Sequence, residues 1–167
     1  MSLDQEQFLK FYDENVGSIY RYIFLRVNSK ETAQDLCSEV FLKSWQYLNQ
    51  KQDLKSPRAF FYQVARNLLK DFYRRKPQKP ISLEEIPWQI PDLNNNPAAK
   101  TYLDLELQPI KEALSRIKKD YAEVIIWHYL DDLSISEIAQ ILKKREGAIR
   151  VMLHRGLNAL RNELAKV

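Results

Sequence analysis

Along the first part of the chain, large apolar side chains recur at three- and four-residue steps. Phe8, Phe11, Tyr12, Val16, Ile19, Tyr20, Ile23 and Val27 draw one stripe, the spacing at which side chains stack on a single helical face. A second pattern sets Ala33, Leu36, Cys37, Val40, Ser44 and Tyr47 or Leu48 on an inner face. Its outer face carries Asp35, Glu39, Lys43 and Gln46, with Leu42 among them, and taken alone it reads as a solvated surface. Cys37 on the inner stripe reads as a small buried apolar group. A third helix is predicted to open at Ser56-Pro57, with serine as N-cap and proline at the first helical position. Its core side is Phe61, Val64, Ala65, Leu68 and Phe72. Tyr62, Gln63, Arg66, Asn67, Lys70, Tyr73 and Arg74 fall on the opposite side, and Arg75 and Lys76 follow.

Helical periodicity resumes at Pro109, which can start a helix holding Ile110, Ala113, Leu114 and Ile117. Asp120 can cap the next one, which carries Val124, Ile125 and His128 or Tyr129. Ser134 and Glu137 have capping-box spacing and open a short helix with Ile138, Ala139 and Leu142. A polar break, Lys143-Lys144-Arg145, leads into a long helix from near Glu146. There Ile149, Leu153, Leu157, Leu160 and Leu164 form the core stripe, and Gly147, Arg150, Val151, His154, Arg155 and Asn158 the other half. A short helix, a brief turn and a second helix with cations at its start is the helix-turn-helix arrangement, although a helical hairpin with a basic surface has the same pattern.

Between the two helical stretches, five of the seven prolines (Pro77, Pro80, Pro87, Pro91 and Pro97) fall within residues 77–97. Proline removes a backbone donor and turns its predecessor away from helix, so this stretch cannot be one regular element. The expected fold is all-α: two small helical domains, 1–76 and 109–167, joined by a proline-rich linker, 77–108, with the C-terminal domain a helix-turn-helix. Ile86, Trp88 and Ile90 inside the linker are large apolar groups in need of a surface to cover them.

Charge sharpens this division. The overall +4 is the sum of +4 over 1–76, −3 over 77–108 and +3 over 109–167, so two basic modules flank an acidic tether. One cysteine and two histidines supply neither a disulfide framework nor a cysteine- or histidine-rich metal site, and no metal or cofactor is expected. Three glycines are too few for phosphate-cradling loops. The opening MSLDQEQF is acidic and polar, unlike a secretory signal, and no apolar run approaches the roughly 18–20 residues that span a bilayer. A cytoplasmic protein without a membrane segment is expected.

The candidate chemistry is therefore binding. Two tyrosines lie among the cations and amides of the third helix. Cations neutralise phosphates, and aromatic faces stack on unpaired bases. The polar loop NQKQDLKS (49–56) lies beside that face. At the final helix, arginine can bond two acceptors of guanine, whereas lysine mostly holds phosphate.

DLCSEVFLKSWQYL (35–48) followed by SPRAFFYQVARNLLKDFYRRK (56–76) resembles the helical core of bacterial sigma factors of the extracytoplasmic-function (ECF) type. LSISEIAQIL (133–142) and AIRVMLHRGLNALRNEL (148–164) look like that family's C-terminal helix-turn-helix. The resemblance covers nearly the whole chain and implies a factor that binds core RNA polymerase, directs it to promoters and helps open the minus-ten element. By the same likeness no enzymatic activity is expected. By this likeness Asp35, Leu36, Glu39, Phe41, Leu42, Lys43 and Gln46 would dock on the clamp helices of the polymerase β′ subunit, and the β flap would be a further contact. Asn49, Gln50, Lys51, Gln52 and Asp53 would meet an unstacked base of the minus-ten element. Arg58, Tyr62, Arg66, Asn67, Lys70, Arg74 and Arg75 would grip its upstream edge. Lys144, Arg145, Glu146, Gly147, Arg150, His154 and Arg155 would read the minus-thirty-five element. The linker would thread the polymerase channel later taken by RNA. An anti-sigma factor, of no stated identity, is the usual further partner. Phe60 matches an aromatic usual in the family, while Lys143 or Lys144 stands where a turn glycine is common, and Val151 and Met152 where polar residues are common.

Two other classes remain open on the sequence. One is a stand-alone helix-turn-helix regulator that uses 109–167 for DNA and the N-terminal module for dimerisation. The other is a helical metal-dependent phosphohydrolase built on Asp35, Glu39 and a histidine, for which no ligand cluster is recognisable.

Overall fold

Serines start two of the N-terminal helices. The Ser29 hydroxyl accepts the Thr32 amide at 3.3 Å, and the Ser56 hydroxyl accepts the Ala59 amide at 3.2 Å with Pro57 directly behind the cap. In the computed structural model, which describes residues 5–27, 29–50, 56–74 and 108–166, the helices that follow are α2 (Lys30–Gln50) and α3 (Pro57–Arg74), after α1 (Gln5–Phe24). Among the described residues all regular structure is helical. The chain divides into two compact units, Met1–Asn95 and Asn96–Val167. The predicted linker lies outside the described residues except at residue 108, and Ile86, Trp88 and Ile90 lie outside them too.

In the first unit each of α1, α2 and α3 packs against the other two. Aromatic rings fill the centre. Phe61 of α3 meets Phe8 at 6.2 Å and Phe41 at 5.2 Å between centroids, and Phe41 also receives Tyr12 edge-on at 4.8 Å. Such edge-to-face and tilted pairs are each worth about 0.5–1.5 kcal/mol beyond the area they bury.

Two partners per helix widen each buried arc beyond one stripe. Tyr22, Phe24 and Leu25 are therefore buried with the expected Phe8, Tyr12, Ile19, Tyr20, Ile23 and Val27, while Phe11 and Val16 are half-buried. Asn15 is also buried, its side-chain amide donating to the Phe11 carbonyl at 2.8 Å. On α3 the same widening takes in Leu69 and Tyr62, whose ring lies 5.8 Å from that of Tyr22. At the far end of α3, the Tyr73 hydroxyl donates to the Arg26 carbonyl and so ties α3 to the end of α1. Partial burial there pushes the Tyr73 phenol up, with the nearby Arg26 charge pulling the other way.

The second unit comprises α4 (108–115), α5 (Lys119–Ile125), α6 (Ile135–Leu142) and α7 (Glu146–Ala165). Asp120 does not cap α5, as its spacing predicts. Lys118 takes that place without a side-chain cap, and Asp120 falls in the first turn, where its charge still suits the helix dipole. α5 runs on into one π-helical turn, Ile126–Leu130, closed by the Asp131 amide on the Ile126 carbonyl at 3.0 Å. This turn plants Trp127 fully in the core. His128 Nδ1 lies 2.9 Å from the Leu133 carbonyl, so this histidine helps hold the turn into α6.

α7 packs on α5 and α6. Gly156 is the point of close approach: a Cβ there would stand 3.1 Å from both the Ile125 Cδ1 and the Tyr121 Cβ. The predicted leucine stripe is buried only in its first half. Ile149 and Leu153 are buried, Leu157 and Leu160 half-buried, and Leu164 exposed. An eight-residue helix such as α6 is about 12 Å long and a twenty-residue one about 30 Å, so α6 cannot cover the whole of α7. Ile110, expected in the core, is likewise exposed.

Two local defects generate predictions. Ser44 is fully buried in α2 and its hydroxyl has no hydrogen-bond partner. Ser44→Ala should raise the unfolding free energy by about 1 kcal/mol, because it removes an unmet polar group from the core. A higher urea midpoint at unchanged slope is the expected result. Lys143 ends α6 in the left-handed region, at φ 55°, ψ 46°. An L-residue there pays about 1–2 kcal/mol that glycine does not, partly offset by glycine's greater freedom when unfolded. Lys143→Gly should therefore stabilise the unit by about 0.5 kcal/mol, read as a raised thermal midpoint.

Candidate nucleic-acid interface

The outer line of α2 is built by its inner one. With Ala33, Cys37, Val40 and Ser44 fully buried, Asp35, Glu39, Lys43 and Gln46 are left facing outward. Asp35 and Gln46 are exposed, and Glu39 and Lys43 form an i, i+4 ion pair at 3.5 Å. Exposed pairs of this kind contribute only tenths of a kcal/mol, so the pair organises the surface more than it stabilises the helix. Leu36, Phe41 and Leu42, expected as contact residues beside them, are in the core. Phe41 is committed to Tyr12 and Phe61, so these three side chains hold the surface from behind and are not part of it.

On α3, Asn67, Lys70 and Arg74 follow one another at three- and four-residue steps and are exposed, with Tyr73 beside them. Arg58 and Arg66 are half-buried. Tyr62, expected on this strip, is fully buried against Tyr22, because α1 closes over that side of α3. The Asn49 and Gln50 side chains, Lys51, Gln52, Asp53 and Arg75 lie outside the described residues.

One aromatic feature goes beyond the sequence-based list. Tyr47, near the end of α2, stacks on Phe60, in the first turn of α3, with 4.7 Å between centroids and 30° between planes. Tyr47 is 45% exposed, so much of its ring still meets solvent. Its period allowed it a place on the inner stripe, which Leu48 occupies instead. The available signal was an aromatic at each end of the polar stretch 49–56.

In the second unit the capping box closes at both ends, Glu137 amide to Ser134 hydroxyl at 3.0 Å and Ser134 amide to Glu137 carboxylate at 3.1 Å. This fixes the start of α6. The left-handed Lys143 then turns the chain, and the Lys144 amide closes onto the Ala139 carbonyl at 3.1 Å. Ile149 and Leu153 set the rotation of α7 from the core side. As a result Lys144, Arg145, Glu146, Gly147, Arg150, His154 and Arg155 are all exposed. Arg150 pairs with Glu146 at 3.7 Å, and the Asn158 amide lies 3.4 Å from the His154 Nε2.

Among the described residues no group of three or more histidines, cysteines, aspartates or glutamates is placed to hold a metal ion. No described helix is long and apolar enough to cross a membrane. Each unit, taken by itself, offers cations and amides, and the first adds an aromatic face, the chemistry of phosphate and base contact.

Comparison with known proteins agrees in both units. Residues 11–78 match sigma-70 region 2, and residues 107–160 match sigma-70 region 4. The chain is similar to the ECF RNA polymerase sigma factor BldN of Streptomyces coelicolor, 29% identical over 94% of this chain and 60% of BldN. It is also similar to the ECF sigma factor SigX of Bacillus subtilis, 24% identical over 96% of this chain and 84% of SigX. The fold is that of CnrH, solved in complex with the cytosolic domain of CnrY (TM-score 0.74, 18% identity, 98% of this chain and 90% of CnrH). It is also that of the sigma factor RpoE from Bartonella quintana, solved in complex with the anti-sigma factor NepR (TM-score 0.71, 17% identity, 96% of this chain and 98% of that one). With region 2 in the first helical unit and region 4 in the second, the chain belongs to the RNA polymerase sigma factors of the extracytoplasmic-function type.

Proposed function

We propose that this sigma factor binds core RNA polymerase in the cytoplasm, directs it to a defined set of promoters and helps to open the minus-ten element. The observation that carries this reading is the occurrence, in chain order, of two helical units that each turn a strip of cations and amides outward. Residues 1–76 serve as the polymerase- and minus-ten-binding domain, 77–108 as the tether and 109–167 as the minus-thirty-five-binding domain.

Asp35, Glu39, Lys43 and Gln46 dock on the β′ clamp helices, and the second domain meets the β flap. Arg58, Arg66, Asn67, Lys70, Arg74 and Arg75 hold phosphates at the upstream edge of the minus-ten element. Asn49, Gln50, Lys51, Gln52 and Asp53 receive an extruded base, for which the open face of Tyr47 is a stacking surface. Lys144, Arg145, Glu146, Gly147, Arg150, His154 and Arg155 face the minus-thirty-five element. The net −3 of the tether suits a channel built to pass RNA.

This is capture, not covalent chemistry. Unstacking and unpairing a base costs a few kcal/mol, which stacking in a pocket can offset. Two moderate DNA contacts joined by one tether raise each other's effective concentration when the tether spans their sites. A protein with two such exposed faces is also open to a partner that covers them. We assign it an anti-sigma factor, supported by the NepR complex of the structurally similar RpoE.

Reconstitution with core polymerase and selection of promoters from random DNA tests the reading. The expected result is holoenzyme formation and initiation at a shared two-part motif. Failure to bind core or to initiate at any sequence sinks it, and specific DNA binding by a stable homodimer without polymerase replaces it. Asp35→Ala combined with Glu39→Ala should weaken core binding about tenfold, in the range of a rim charge cluster, and leave the helical circular-dichroism signal intact. Loss of that signal would make the two carboxylates structural.

A further inference from the structure

The middle of the exposed strip along the first half of α7 is not a cation. Val151 stands two residues after Ile149 and two before Leu153, about 160° around the helix from each. Both of those are buried, so Val151 points away from the core and is 47% exposed. Gly147 and His154 share its face one turn to either side, and Arg150 and Arg155 flank it. A strip that only held phosphates would gain nothing from a branched apolar side chain at its middle.

The surroundings say what such a side chain can reach. The turn ahead of it carries Gly147 and Ala148, at most one methyl each, and a Cβ at Gly147 would meet nothing within 4 Å. The helix can thus seat deeply in a groove at that turn. Valine is short, and its χ1 is nearly fixed in a helix, so its two methyls are presented at a set depth. On the major-groove edge of DNA the one apolar feature is the C5-methyl of thymine. Arginines on either side supply the phosphate and guanine contacts that would hold the helix in register.

We infer that Val151 is a specificity-determining residue of this chain, reading the C5-methyl of one thymine in the minus-thirty-five element. The inference rests on the promoter-binding reading of α7.

The test uses holoenzyme and its selected promoter. Each thymine of the minus-thirty-five element, on either strand, is replaced singly by deoxyuridine, which removes the methyl and nothing else, and affinity is read by fluorescence anisotropy. One replacement should weaken binding about fourfold, the worth of one buried methyl-sized group. Holoenzyme carrying Val151→Ala should bind the thymine and deoxyuridine promoters equally. An element without thymine, no sensitive position, or the same sensitivity in Val151→Ala overturns the role of Val151 while the promoter-binding reading stands. Weaker assembly of Val151→Ala on core polymerase in the absence of DNA also overturns it, since the side chain then contacts protein. Failure to form holoenzyme or to select any promoter defeats both readings.

Discussion

Phe61 meets Phe41 and Phe8 at the centre of the first unit, and the rotation of α3 about its own axis depends on that contact. A helix that buries Phe61, Ala65 and Leu68 has no choice about where it carries Asn67, Lys70 and Arg74. The same ring fixes α2 through Phe41, and with it the line from Asp35 to Gln46. One aromatic cluster therefore orients both the surface assigned to polymerase and the surface assigned to DNA. It also means that core mutations such as those at Phe41 would disturb binding without touching a partner.

The second unit solves the same problem with less material. Gly156 lets α7 lie close against Tyr121 and Ile125, and Ile149 and Leu153 lock its rotation. The capping box and the left-handed Lys143 decide where α6 starts and stops, hence the angle at which α7 leaves the turn. Lysine at a position that favours glycine adds a cation beside the break at a modest cost in stability. Stability has been exchanged for charge at the place where the chain is proposed to meet a phosphate backbone.

Helix identity, the two-module plan and the capping signals of α3 and α6 were legible because they are local. Ser56-Pro57 and the Ser134–Glu137 pair act within one turn of themselves, and three-four periodicity needs no partner to be seen. The outward cations of α7 were legible for the same reason: Ile149 and Leu153 mark the buried side unambiguously. The misplaced interface residues of the first unit fall where a helix has two neighbours. Tyr62, Phe41 and Leu42 lie off the apolar stripe in helical projection, and packing against two neighbours widens the buried arc to take them in, whereas Leu36 stood on the inner stripe from the start.

The amino-acid sequence by itself thus determined which segments are helical, where α3, α6 and α7 start, and that two basic modules carry strips of cations and amides, because propensity, capping and charge act at short range. Tertiary structure alone decided how wide each buried arc is, and therefore which side chains remain to bind. It removed Tyr62, Phe41 and Leu42 from the expected interface and stacked Tyr47 on Phe60. The reason is that exposure belongs to a residue's neighbours in space, and those are chosen by packing between segments that no local pattern records.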